Sequence, residues 1–206
     1  MKSKKGVKVT QAASSVGNNV TIKVMKGNTT IKTIKNHNNA TFRLFSGILQ
    51  FLRGDFTDIA NNQDAYGYIP LYLGAGAQSP PTDTDPTRTS LNAEINFGSG
   101  RIKLARGNIA IQEDLQMVTL SLTALIPYLK LLFFNLLISS VKETRITELG
   151  LFATKNLGTS SLLARVIIDK NYGSEANPEY GLKVESGQSL FIQWDINIQN
   201  LIGGNN

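Results

Sequence analysis

The stretch Leu190-Phe191-Ile192-Gln193-Trp194-Asp195-Ile196-Asn197-Ile198-Gln199 decides the fold. Leu190, Ile192, Trp194, Ile196 and Ile198 fall on one side of an extended chain; Phe191, Gln193, Asp195, Asn197 and Gln199 fall on the other. This period-two alternation is what a strand with one dry and one wet face requires. Trp194, central on the dry side, is the expected core anchor. Working back from it, strands are expected at residues 162–169, 146–153, 117–126, 108–113, 101–104 and 68–73, the last closing at Gly74-Ala75-Gly76. Short strands separated by turn formers predict a mainly β chain: an antiparallel β-sandwich, jelly-roll-like, with one or two short helices.

Composition agrees with that reading. Charged residues are 17% of the chain against the roughly 25% usual in soluble domains, while a hydrophobic fraction of 41% suffices for a packed core. With no cysteine, disulfides, thiolate metal sites and cysteine nucleophiles are excluded. The one histidine, His37, stands in Asn36-His37-Asn38-Asn39 and reads as solvated, so histidine-based zinc and Ser-His-Asp chemistry have no foundation.

The net charge of +6 is concentrated at the start of the chain. Residues 1–35 hold Lys2, Lys4, Lys5, Lys8, Lys23, Lys26, Lys32 and Lys35 and no acid, leaving 13 basic and 15 acidic residues beyond. No apolar run follows the first lysines, so a secretory signal is not expected. Residues 1–36 read as a basic extended arm and 37–206 as the sandwich domain. Within the arm, residues 21–26 and 30–35 alternate polar with apolar around Gly27-Asn28, a hairpin pattern. Two strands are marginal alone, so the hairpin is expected to lie on another sheet, a neighbouring subunit's being one option. Residues 39–53 are the helix candidate: Asn39 is the expected N-cap, Phe42, Phe45, Ile48, Leu49 and Leu52 form an apolar stripe expected to pack on the core, and Arg53-Gly54 is the stop. From Leu115 to Val141 the only charge is Lys130, yet Pro127, Lys130 and Asn135 interrupt the run. A strand to Ile126 followed by a short buried or interface helix is expected there, with no membrane span. Leu131, Phe133, Phe134 and Leu137 are its candidate interface residues.

Three pieces occur in order: Ile146-Thr147-Glu148-Leu149-Gly150-Leu151-Phe152, then Leu162-Leu163-Ala164-Arg165, then Leu190-Phe191-Ile192-Gln193-Trp194-Asp195-Ile196. The series resembles a pattern in structural proteins of tailed-phage virions, found in tail, neck and fibre-associated components. Residues 69–76 and Leu91-Asn92-Ala93-Glu94-Ile95 are similar to the same family, so the resemblance spans roughly residues 68–198. It implies a β-sandwich subunit forming a cyclic homo-oligomer in the virion, made in the host bacterial cytoplasm and docked to other virion proteins. Glu148, Gly150, Phe152, Arg165 and Trp194 are the structural residues of the pattern. Physically, Glu148 and Arg165 suit a cross-strand ion pair, and Gly150 suits a bulge or close backbone approach.

No catalytic, cofactor or metal site is expected. Asp55 with Asp58, and Asp83 with Asp85, are explained by turns. Gly74-Ala75-Gly76-Ala77 and Gly98-Ser99-Gly100-Arg101 lack the full phosphate-loop patterns. Two other functions are carried as alternatives. Tyr66, Tyr68 and Tyr72 are the platform of a receptor- or glycan-binding module. The lysine arm is suited to DNA phosphate, although it has no arginine and no aromatic residue for base reading or stacking.

Overall fold

The computed structural model describes residues 18–37, 39–53, 70–77, 85–105, 107–112, 117–127, 145–158, 160–169, 175–176, 180–185 and 187–199. These form two five-stranded sheets, all strand pairs antiparallel. The first sheet contains β1 (Asn18–Lys26), β2 (Thr29–His37), β6 (Asn108–Gln112), β7 (Met117–Ile126) and β12 (Gln188–Gln199), in the order β2-β1-β12-β7-β6. The second contains β3 (Asn39–Ala40), β4 (Tyr72–Gly76), β5 (Ile102–Lys103), β9 (Glu148–Phe152) and β10 (Leu162–Ile167), in the order β3-β10-β9-β4-β5. A two-stranded ladder joins β8 (Arg145–Ile146) to β11 (Leu182–Lys183). The helix α1 spans Phe42–Arg53.

β12 is the central strand of the first sheet, and its alternation sets the sandwich. Leu190, Ile192, Trp194 and Ile196 are buried, while Phe191, Gln193, Asp195 and Asn197 are half-buried on the outer face. Trp194 pairs with Val20 on β1 and Leu122 on β7, so three buried apolar groups make one row of the inner face. The outer face is polar toward one end, with Ser121 donating to Asp195 at 2.6 Å and Thr119 to Asn197 at 2.8 Å, and apolar toward the other, where Phe191 stands opposite exposed Leu125. Leu73, Ala75, Leu149, Leu151, Ala164 and Val166 of the second sheet complete the same core. The chain switches sheets at both sides, from β2 to β3 and from β5 to β6. Asn36 Nδ2 donates to Ile167 O at 2.5 Å across the first corner, and Ala105 N–H donates to Thr123 O at 2.8 Å at the second.

Four expectations change. The hairpin exists, turning at Gly27 with φ of 58°, but it is no part of a separate arm. β1 pairs with β12 over its whole length and buries Val20, Ile22 and Val24, so the boundary at residue 36 falls inside the sandwich. Gly74-Ala75-Gly76 does not end a strand; these residues are most of β4, for a reason given below. The helix begins after Thr41, not Asn39, which lies in β3. Thr41 Oγ1 donates to Leu162 O and Leu163 O at 3.0 and 2.8 Å, and with Leu44 it fastens α1 to β10. That anchoring turns Phe42, 64% exposed, and Phe45, 38% exposed, away from the core on which their stripe was expected to pack. The expectations on the side chains of Ile48, Leu49 and Leu52, and on residues 128–144, lie outside the described residues. No helix among the described residues is long and apolar enough to cross a membrane.

Candidate functional site

The Glu-Leu-Gly-Leu-Phe run of β9 is buried on both sides. Leu149 and Leu151 face the sandwich core, and Glu148, Gly150 and Phe152 face the opposite way, onto the segment 85–101 that lies over the second sheet. The register explains how that segment gets so close. Gly74 stands opposite Gly150, and Gly76 opposite Glu148. A Cβ on Gly74 would come within 2.7 Å of the Phe152 ring and 2.8 Å of Glu94 Oε1. On Gly150 it would meet Leu162 Cδ1 at 2.6 Å, and on Gly76 Glu148 Oε1 at 2.5 Å. The glycines therefore form a trough in the sheet surface, filled by Phe152 and by the two carboxylates.

Two buried ion pairs lie along this trough. Arg165 pairs with Gly150 in the ladder, which sets its side chain diagonal to Glu148, two residues along β9. Arg165 Nε donates to Glu148 Oε2 at 2.6 Å, with the side chains 4% and 0% exposed. Glu148 Oε1 accepts the Asn92 N–H at 2.5 Å, so one carboxylate ties β9 to β10 and to the covering segment. Arg101 makes the second pair, bidentate to Glu94 at 2.6 and 3.0 Å. Its Nη1 donates to Thr154 O at 3.0 Å and to Ser161 Oγ at 3.1 Å. Its guanidinium carbon lies 3.4 Å from the centre of the Phe152 ring, a stacked cation–π contact. Below Phe152, Leu91, Leu162 and half-buried Tyr72 make a small second core.

The Glu94–Arg101 pair had no counterpart in the sequence reading, where Arg101 figured as the start of a strand and the end of a failed phosphate loop. The signal lay in Asn96-Phe97-Gly98-Ser99-Gly100. Asn96 Oδ1 accepts from Gly98 N and Gly100 N at 3.0 and 3.1 Å, both glycines have positive φ, and the chain doubles back to set Arg101 beside Glu94. Asp85 is likewise a turn residue, accepting from Thr87 N and Oγ1 at 2.8 and 2.7 Å. Chemically, these charges are committed to holding the covering segment on the sheet.

The other singled-out residues are not gathered into one site. Lys23 and Lys35 share the outer face of the first sheet, with the Lys23 ammonium 5.7 Å from the Phe191 ring centre. Lys32 pairs with Val24 on the opposite face, beside a shallow cleft that Arg145, Lys183 and Glu185 also line, and Lys26 is exposed at the hairpin end. The described lysines therefore face different ways because β1 and β2 are amphipathic strands. Lys2, Lys4, Lys5, Lys8, Leu131, Phe133, Phe134 and Leu137 lie outside the described residues, as do Asp55, Asp58, Asp83, Tyr66 and Tyr68. Tyr72 packs on Leu91, Phe152 and Leu162 and is no part of an open platform. His37 is exposed at the end of β2. Among the described residues no three His, Asp or Glu side chains cluster as metal ligands.

Large apolar side chains instead stand on the surface in two groups, with Ile31 on β2 and Leu125 on β7 exposed singly. Phe42 and Phe45 project from α1; Ile109, Ile111 and Val118 project from β6 and the start of β7, 72%, 70% and 40% exposed. Comparison with protein-family models, with curated proteins and with solved structures finds no match for this chain.

Proposed function

We propose that this chain is a non-enzymatic structural subunit of a tailed-phage virion, assembling with copies of itself and docking to neighbouring virion proteins. The observation that carries the reading is the contrast between its two kinds of surface. The pattern residues Glu148, Gly150, Phe152 and Arg165 form a rigid, fully occupied scaffold, while Phe42, Phe45, Ile109, Ile111 and Val118 are held out in water. Exposed apolar side chains grouped on regular elements mark surfaces that another protein covers. Two such surfaces suit a subunit that meets both itself and a different neighbour, and closed cyclic symmetry is the default for self-association.

The test has two arms. Light scattering across a concentration series is expected to show a discrete oligomer in exchange with monomer. Peptide mass spectrometry of purified phage particles from a host carrying this gene is expected to find the chain in the virion. A monomer at every concentration, together with absence from the particles, overturns the proposal.

A further inference from the structure

We infer that β6 is a self-pairing edge: two copies of the chain join their first sheets by antiparallel β6–β6 pairing around a two-fold axis at Ala110. The inference rests on the self-assembly reading and names the contact.

β6 is the last strand of the first sheet, and among the described residues nothing pairs with its far side. Among the described residues the two five-stranded sheets have three other edges, and each is blunted. β3 and β5 are two residues long, the latter including Lys103, and β2 carries Lys32 and Lys35. Charged or very short edge strands are how soluble proteins prevent unwanted sheet extension. β6, Asn108-Ile109-Ala110-Ile111-Gln112, has five residues and no charge, and both its isoleucines are at least 70% exposed. An open hydrogen-bonding edge flanked by bare apolar groups is a template for another strand.

The occupant follows from the strand itself. Its side chains read the same in both directions: amide, isoleucine, alanine, isoleucine, amide. Antiparallel pairing about Ala110 therefore sets each Ile109 opposite the partner's Ile111. Within one chain Ile109 is already opposite Leu120, and Ile111 opposite Val118. The pairing thus joins two rows of apolar side chains across the axis, and Leu120 connects them to the core. Five residues span only about 17 Å, and a ladder that short buries less than the ~1,200 Å² of a stable complex. The dimer is therefore expected to be reversible and to depend on concentration.

The absence of cysteine makes the test clean. Directly opposite Cα atoms in an antiparallel ladder are about 4.5–5.5 Å apart, within disulfide range. Ala110→Cys in the full chain should form a disulfide-linked dimer under mild oxidation, whereas Asn108→Cys, whose copies sit roughly 14 Å apart along the strands, should link far less. The double substitution Ile109→Lys with Ile111→Lys, at exposed positions, should keep the circular dichroism spectrum and weaken self-association by about tenfold or more, since it sets like charges directly opposite. If the wild-type chain self-associates but the charged variant does so equally, and the two cysteine variants link alike, the β6 contact is wrong while self-assembly stands. If the wild-type chain neither associates nor cross-links at any concentration, both are wrong.

Discussion

Replacing Arg165 by Met, Glu148 by Gln, and both together separates the net worth of a buried ion pair from the cost of breaking it. The Glu148 carboxylate is fully buried and bonds Arg165 Nε at 2.6 Å and the Asn92 N–H at 2.5 Å. Arg165→Met removes the cation and leaves a buried carboxylate with the Asn92 N–H. Stranding one member of a buried pair costs about 3–5 kcal/mol, because the remaining charge keeps its desolvation penalty and loses its compensation. Glu148→Gln takes the carboxylate charge away from Arg165 while keeping an oxygen for Asn92. The double variant has no net charge in the trough, and Met follows the path of the arginine stem. Exchanging a buried pair for groups of similar volume is often close to neutral. The double variant should therefore be more stable than Arg165→Met, and the couplings should be strongly non-additive. In a chain of this length each kcal/mol corresponds to about 2–4 °C in Tm, so Arg165→Met should lower Tm by about 6–20 °C. Urea unfolding followed by tryptophan fluorescence supplies the free energies, since Trp194 is the only tryptophan and is buried. A loss below about 1 kcal/mol in Arg165→Met, or single-variant losses that simply add in the double, would refute the reasoning.

Other substitutions probe the remaining contacts. Gly150→Ala should cost about 1–3 kcal/mol, since its methyl would press on Leu162 and Phe152 in a filled trough, and thermal unfolding measures it. Trp194→Phe should be tolerated far better than Trp194→Ala, which should cost about 3–5 kcal/mol in urea unfolding; the indole N–H has no hydrogen-bond partner among the described residues, so phenylalanine forfeits volume but none of the described bonds. Phe42→Ser should leave stability within about 0.5 kcal/mol in thermal unfolding, because that ring is 64% exposed; if the proposed docking uses α1, the same variant should be recovered less in purified particles. Deleting residues 1–37 should abolish cooperative unfolding, since it removes β1 and β2 and with them Val20, Ile22 and Val24 from the core.

Legibility in the sequence followed the range of the interactions. β12 and β7 were readable because each carries its own alternation, and β7 runs over the expected residues 117–126. The β1–β2 hairpin was readable for the same reason, but its place was not. Alternation says that Val20, Ile22 and Val24 need a dry face, and it is silent on whether that face belongs to the same chain. The glycines of β4 misled because Gly-Ala-Gly is also a turn signal. Only the residues above the sheet, Phe152 and the carboxylates of Glu94 and Glu148, explain why a strand there must lack side chains on one face. The cross-strand position of Glu148 and Arg165 was within reach of strand geometry. The Glu94–Arg101 pair was not, since it depends on an irregular turn built on Asn96.

The two isoleucines of β6 show a further limit, and it bears on function. Ile109 and Ile111 alternate with Asn108, Ala110 and Gln112 as the core residues of β12 alternate with their polar neighbours. Nothing local distinguishes a strand whose apolar face is covered from one whose face is bare. Among the described residues, the second sheet ends in the two-residue β5 before the chain crosses to become β6, and no strand of that sheet is seen over the corner. A core-type strand without a core above it is unfavourable for an isolated molecule and useful for one that assembles. At about 25 cal/mol per Å² of apolar surface removed from water, covering those side chains is the driving force the bare corner makes available. The buried pairs beneath the 85–101 segment add little net stability by comparison. What they do is tie β9 to β10 and fasten the covering segment to the second sheet.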